Sequence, residues 1–282
     1  MGYSPGMNNT TANPWQNWVG RSVLRHDVVS QRLVAQLRST LSPFLFGDDH
    51  AIPPGLHWAL APATPAMNEL SDDGTETHGL VPPQIDLPRR MWAGGTIETF
   101  GDLAEGRQVS RRSTLSDIHE RSGRSGRLCL ISITHEIMQQ DQLMLRERQD
   151  LVFREPGAPR EPAPGEPWQT DLLWRIDLTP QLLFRFSAIT FNGHRIHYDQ
   201  PYAVATEGYA GLVVHGPLQA AILLNQTATV LGRAPRRFDY RCVSPLIAGQ
   251  IADVESRKSD VGVAARIRNA AGIITCEAAA QR

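Results

Sequence analysis

The stretch GPLQAAILLNQTATVLG, Gly216 to Gly232, contains the reading on which the fold turns. Pro217 to Leu231 predicts a helix, with proline at its first position and Gly232 just past its end. Its first two turns, Leu218 to Leu224, are apolar nearly all round, so the helix is expected to be buried and wrapped by a sheet. Around it, Leu182 to Ala188 reads as a strand. Val261 to Arg268 and Ile273 to Ala279 read as two more, joined by the turn Asn269 to Gly272. Strand, buried helix, then antiparallel strands is an α+β order.

Upstream, Pro156, Pro159, Pro162, Pro164 and Pro167 alternate with glycine and charged residues, which marks an extended linker over 154–170. It divides the chain into a first domain at 15–153 and a second at 171–282, each of ordinary domain size. In the first, Asp27 is a candidate cap for a helix carrying Val29, Leu33, Leu37 and Leu41, stopped by Pro43. Leu128 to Met138 and Leu143 to Phe153 flank the short turn Gln139 to Gln142 and predict an antiparallel hairpin.

With 282 residues, 41% hydrophobic and 20% charged, the chain has a globular composition. Lys+Arg 28 against Asp+Glu 29 leaves no overall positive field, so nucleic acid is not an expected partner. The longest strongly apolar run, Ala220 to Leu224, is far too short to cross a bilayer, and no membrane partner is expected. Cys129, Cys242 and Cys276 lack metal-ligand spacing and are odd in number, which suits a reducing compartment and argues against a zinc site or a disulfide framework. The first twenty residues hold no Lys or Arg and no apolar stretch, so they predict a polar tail without targeting character and a cytoplasmic protein.

Two stretches concentrate the chemistry: FSAITFNGHRIHYD, Phe186 to Asp199, and GLVVHGPL, Gly211 to Leu218. The first resembles the MaoC-like hydratase motif Asp-x-Asn-Pro-(Ile/Leu)-His, with His197 on the motif histidine and Asn192 where the family carries aspartate. The second resembles the His-Gly pair that opens the central hot-dog helix. Asparagine at the aspartate position is a variant similar to mitochondrial 3-hydroxyacyl-thioester dehydratases and bacterial mesaconyl-C4-CoA and itaconyl-CoA hydratases. LVPPQIDLPRRMWAGG (Leu80 to Gly95) and SDIHERSGRSGRL with its hairpin are similar to the N-terminal hot-dog domain of those bacterial enzymes.

The resemblance covers the chain from about Trp15, the linker apart. It implies a double hot-dog, antiparallel sheets each wrapping a central helix, with the active site where the two units meet. It also implies a non-catalytic first unit that shapes the acyl pocket, since no matching Asx-to-His pair with a following His-Gly start occurs there. The implied activity is hydration of an acyl-CoA thioester without a cofactor. Edge strands of such sheets commonly pair between chains, so a homo-oligomer is expected.

Adding water to a double bond conjugated with a thioester needs a base for the water, an acid for the α-carbon and donors for the enolate-like oxygen. His197 suits the first two tasks. An amide is no base, so Asn192 is expected to orient water or thioester, although Asn-Gly is also a turn signal. Asp199 and Glu207 are the candidate assisting carboxylates; Asp199, in Asp-Gln-Pro, is equally a helix cap. Gly216 sits at the helix N-terminus, where unpaired N–H groups and the helix dipole favour a negative oxygen.

Around that core lie further candidates. His215 is assigned to the substrate-binding set with Arg89, Arg90 and Trp92, with a purely structural place for His215 and His194 as the alternative. Arg89 or Arg90 could bind a free carboxylate on the acyl group bidentately, or be surface charge. Arg121, Arg124 and Arg127 could grip CoA phosphates, or decorate an exposed hairpin. The three histidines lack the Cys or carboxylate that would complete a metal set, so none is expected.

Overall fold

The computed structural model describes residues 15, 17–48, 51–82, 85–123, 126–155 and 164–282. The first unit runs β1 (Ser22–Val28), α1 (Gln31–Leu41), a 3-10 turn (Leu56–Ala59), β2 (Arg89–Thr99), β3 (Gln108–Gly123), β4 (Gly126–Gln139) and β5 (Gln142–Arg154). The second runs β6 (Leu172–Asp177), α2 (Pro180–Thr190), α3 (Gln200–Ala205), α4 (Gly216–Leu231), β7 (Arg237–Cys242), β8 (Ile251–Ser259), β9 (Gly262–Arg268) and β10 (Ile274–Gln281).

All ten strands join one antiparallel sheet in the order β1-β3-β4-β5-β2-β7-β10-β9-β8-β6. The order repeats outward from the β2–β7 seam, where Gly94 pairs Arg241 and Gly95 pairs Tyr240. This is the double hot-dog α+β fold expected from the sequence. The seam, rather than a gap in the sheet, is what places residues of both units beside one another.

Helix α4 is buried along its first twelve residues after Gly216, as its apolar circumference demands. Its polar members are satisfied inside the core. Asn225 accepts from the Phe46 N–H at 3.0 Å and donates to the Pro54 carbonyl at 2.9 Å, while Gln219 accepts from the Thr275 hydroxyl at 2.8 Å. The long central helix belongs to the second unit alone. Among the described residues the first unit instead sets α1 and the 3-10 turn in the shared core with Ile97, Val109 and Ile137.

Three expectations change. Leu182 to Ala188 is helix α2, because Thr179 caps Leu182 and Pro180 opens the helix, so that Leu183 and Phe186 share its buried face. The cap of α1 is Ser30, accepting from Leu33, and Asp27 lies in β1, where its carboxylate takes the Ala61 N–H at 2.8 Å. The β4–β5 turn is tighter than expected: only Gln140 and Asp141 intervene, both with left-handed φ. Of the linker, 156–163 lie outside the described residues, and Pro164 bridges Ile273. Among the described residues no helix is long and apolar enough to cross a membrane.

Candidate active site

A cavity of about 1030 Å³ opens between the two units, and both His197 and Gly216 line it. The second unit supplies the loop between α2 and α3 and the start of α4. The first supplies Trp92 and its neighbours on β2, with Trp58 above them and Gln149 beside them.

His197 ends a single 3-10 turn, Arg195–His197, and is 7% exposed. Its Nδ1 lies 2.7 Å from the Val213 carbonyl oxygen, so Nδ1 carries the hydrogen and donates, leaving a lone pair on Nε2. Burial, with the His194 ring adding to it, pushes the imidazole pKa down to about 3, against the pull of the Val213 carbonyl. A neutral imidazole with a bare Nε2 is a proton acceptor throughout the neutral range.

His215 backs this ring. It is fully buried, stacks on His197 with centroids 3.6 Å apart, and shares a 2.8 Å hydrogen bond with the Ser187 hydroxyl through Nε2. It is not among the residues that line the cavity, and the His197 ring lies against it. Burial holds it well below the usual histidine range, so the stacked pair is uncharged.

Of the two candidate carboxylates, Asp199 takes the helix-cap place that Asp-Gln-Pro offered. Asp199 caps α3 by accepting from Tyr202 and is held at 2.8 Å by Arg195, whose hydrogen bonds keep its carboxyl below the ordinary value. Glu207 is buried and faces His194, with Oε1 3.9 Å from Nε2. Opposite it stands Asp73, 3.8 Å from the same nitrogen.

Asp73 was not found from the sequence. It comes from a first-unit loop, 71–77, that docks on the motif loop: the Arg195 N–H donates to the Asp73 carbonyl at 2.8 Å, and Arg195 Nη1 donates to the Asp72 carbonyl at 3.0 Å. Ser71 and Thr75 fold around its carboxylate and hold its pKa low despite burial. Gly74 lies directly against the backbone of Gly193 with φ +83°, and a Cβ at position 74 would strike the Gly193 carbonyl.

Asn192 lines the cavity and uses its Oδ1 to accept the His194 N–H at 3.0 Å, so the turn reading of Asn-Gly holds. Its Nδ2 remains a donor without a partner among the described residues. Gly216 opens α4, and its N–H meets no backbone acceptor among the described residues. A Cβ there would lie 2.9 Å from Trp92 Cβ, and Trp92 in turn donates through Nε1 to the Tyr240 hydroxyl at 2.9 Å.

Arg89 and Arg90 line the cavity as well. Arg89 Nη2 donates to the Glu207 carbonyl at 2.7 Å. Arg90 is pushed down by burial while the Asp73 and Glu76 carboxylates oppose that shift. Arg121 and Arg127 are exposed on β3 and β4 and take no part in the cavity, while Arg124 lies outside the described residues.

Residues 55–248 match the family model of hydroxyacyl-thioester dehydratase type 2. The chain is 40% identical over 237 residues to a mesaconyl-C4-CoA hydratase of Chloroflexus aurantiacus, covering 82% of this chain and 85% of that protein. It superposes on a solved MaoC-like dehydratase at 13% identity with a TM-score of 0.70, over 94% and 98% of the two chains. A Mycobacterium tuberculosis protein described as a double hotdog aligns at 13% identity and TM-score 0.56, over 94% and 96%.

Proposed function

Because this chain belongs to the hydroxyacyl-thioester dehydratase type 2 family, we propose that it is a hydro-lyase that reversibly adds water to an enoyl-CoA thioester, with itaconyl-CoA or mesaconyl-C4-CoA giving citramalyl-CoA as the preferred reaction. The observation that carries this reading is the pairing, in one cavity, of a neutral His197 with a bare Nε2 and the free N–H of Gly216.

In the hydration of mesaconyl-C4-CoA, whose double bond is conjugated with the thioester, His197 Nε2 takes a proton from water as its oxygen bonds to the β-carbon. The electron pair of the double bond moves toward the thioester carbonyl, whose oxygen receives the Gly216 N–H at the positive end of α4. Such a donor contributes roughly a hundred- to a thousandfold in rate. The proton held by His197 then passes to the α-carbon, completing the addition. Asn192 Nδ2 orients water or thioester, and Trp92 walls the slot. The first unit, 15–153, shapes the acyl pocket, and the second, 171–282, carries the proton chemistry. No cofactor enters these steps.

The same groups run backwards dehydrate a 3-hydroxyacyl thioester, the second reading, which is supported by the family's description as a hydroxyacyl-thioester dehydratase. Three free thiols suit the cytoplasm as location. The sheet ends on β1 and β6, two edges open to pairing in a homo-oligomer.

Purified protein incubated with mesaconyl-C4-CoA, itaconyl-CoA and crotonyl-CoA should form the hydrated thioester of at least the first two, read by mass spectrometry. Water addition to none of them overturns the proposal. Release of free thiol, read with Ellman's reagent, would replace it with a hot-dog thioesterase.

A further inference from the structure

We propose that Arg111, on the inner face of the first unit, binds a second carboxylate carried by the acyl chain and so sets the preference for dicarboxylic enoyl thioesters, a reading that rests on the hydratase function above. The cavity does not end at Trp92. It continues over the inner face of the first unit, along Leu151 and Gln149 to Trp58 and Arg111.

Arg111 is an unfilled cation. Its Nη1 donates to the Leu60 carbonyl at 3.2 Å, its Nε is buried with no partner, and no carboxylate lies within ion-pair distance of it among the described residues. A guanidinium has five N–H donors, and leaving most of them unused in a partly dehydrated wall is costly unless a ligand fills them. The nearest negative field is that of Glu147, which is fully buried and engaged elsewhere. Its Oε1 accepts from Trp58 Nε1 at 2.8 Å and from the Tyr240 hydroxyl at 3.3 Å, and its Oε2 stands 3.7 Å from His57 Nε2.

Gln149 supplies a second donor. His135 bonds the Ser113 hydroxyl through Nδ1 at 2.7 Å and Gln149 Oε1 through Nε2 at 2.8 Å, which fixes the amide so that its NH₂ is left for the cavity. A planar guanidinium and an amide donor on the wall of one cavity are the kinds of group from which carboxylate oxygens accept. Arg89 and Arg90, the candidates read from the sequence, are less suited. Arg89 is engaged by the Glu207 carbonyl, and Arg90 stands in the field of Asp73 and Glu76, which repels a further anion.

The test compares kcat/KM for mesaconyl-C4-CoA with that for crotonyl-CoA in the full-length wild type, Arg111→Gln and Arg90→Gln. The ratio of the two values should fall about a hundredfold in Arg111→Gln, as expected for losing a charged bidentate contact, and less in Arg90→Gln. A ratio that is unchanged in Arg111→Gln, or that falls further in Arg90→Gln, overturns the assignment. If Arg111→Gln does not fold, inhibition of the wild type decides: succinyl-CoA should bind at least about tenfold more tightly than butyryl-CoA, and equal inhibition overturns the assignment. Wild-type protein that hydrates crotonyl-CoA but no carboxylated substrate defeats this inference and the dicarboxylic preference while the hydratase reading stands, whereas protein that hydrates neither defeats the hydratase reading beneath it.

Discussion

The Nδ1 atom of His197 lies 2.7 Å from the carbonyl oxygen of Val213, a residue sixteen positions later and three before α4 begins. This one bond orients the ring and selects its tautomer. Replacing His197 with alanine should lower kcat/KM for hydration by about a hundred- to ten-thousandfold while substrate binding persists. Unaltered turnover in a folded His197→Ala variant would remove the residue from the mechanism.

The pH profile follows from the same burial. His197 loses its basic form only when protonated, and its pKa is pushed down to about 3. The acid limb of kcat/KM should therefore fall well below pH 6.5, the ordinary histidine value. A limb centred near 6.5 would mean that another group supplies the base.

Stability should fall on acidification too, and begin to fall at a higher pH than the acid limb. His57 and His197 both have folded pKa values pushed to about 3 by burial, so between pH 6.5 and pH 3 the unfolded chain binds protons that the folded chain refuses. The folded state is thus disfavoured as pH falls, by about 2 kcal/mol for each histidine at pH 5. Urea unfolding at pH 7.5 and pH 5 measures the difference, and equal midpoints would contradict it.

At position 216 the helix start and the indole of Trp92 share one space. Gly216→Ala places a methyl 2.9–3.1 Å from Trp92 Cβ, Cγ and Cδ1, so indole or helix must shift. Activity should fall at least about tenfold, since displacing an oxyanion donor alone is worth that or more, with the melting temperature little changed. Trp92→Leu in the same background makes room for the methyl. Recovery in the double variant identifies the collision as the cause, and no recovery points to the glycine backbone itself.

Gly74→Ala probes the docking of 71–77. Its left-handed φ and its approach to Gly193 leave no place for a methyl, so the variant should destabilise the loop by about 1–3 kcal/mol and raise its susceptibility to limited proteolysis. Activity should drop with it, because Arg195 loses its two backbone acceptors in the loop.

Much of the second unit was legible because its signals are local. Pro217 and Gly232 bracket α4, and the short segment that carries both Asn192 and His197 sets them along one cavity. LLFRFSA was misread because a short apolar run fits either a strand or a helix face; the deciding cap, Thr179 with Pro180, lies just outside it. Asp73 left no trace, since it meets the motif loop across about 120 positions of sequence and belongs to no periodic pattern. Arg111 was hidden for another reason: on an alternating strand an inward arginine looks like its outward neighbour Arg112 until the register is known.

The β2–β7 seam has a further consequence. Two units joined back to back would ordinarily offer a matched pair of clefts, yet here one cavity carries His197 and Gly216 and runs on over the first unit's inner face, where Trp58 donates to the buried Glu147. Titration of the protein with a tight-binding thioester analogue should consequently saturate at one equivalent per polypeptide.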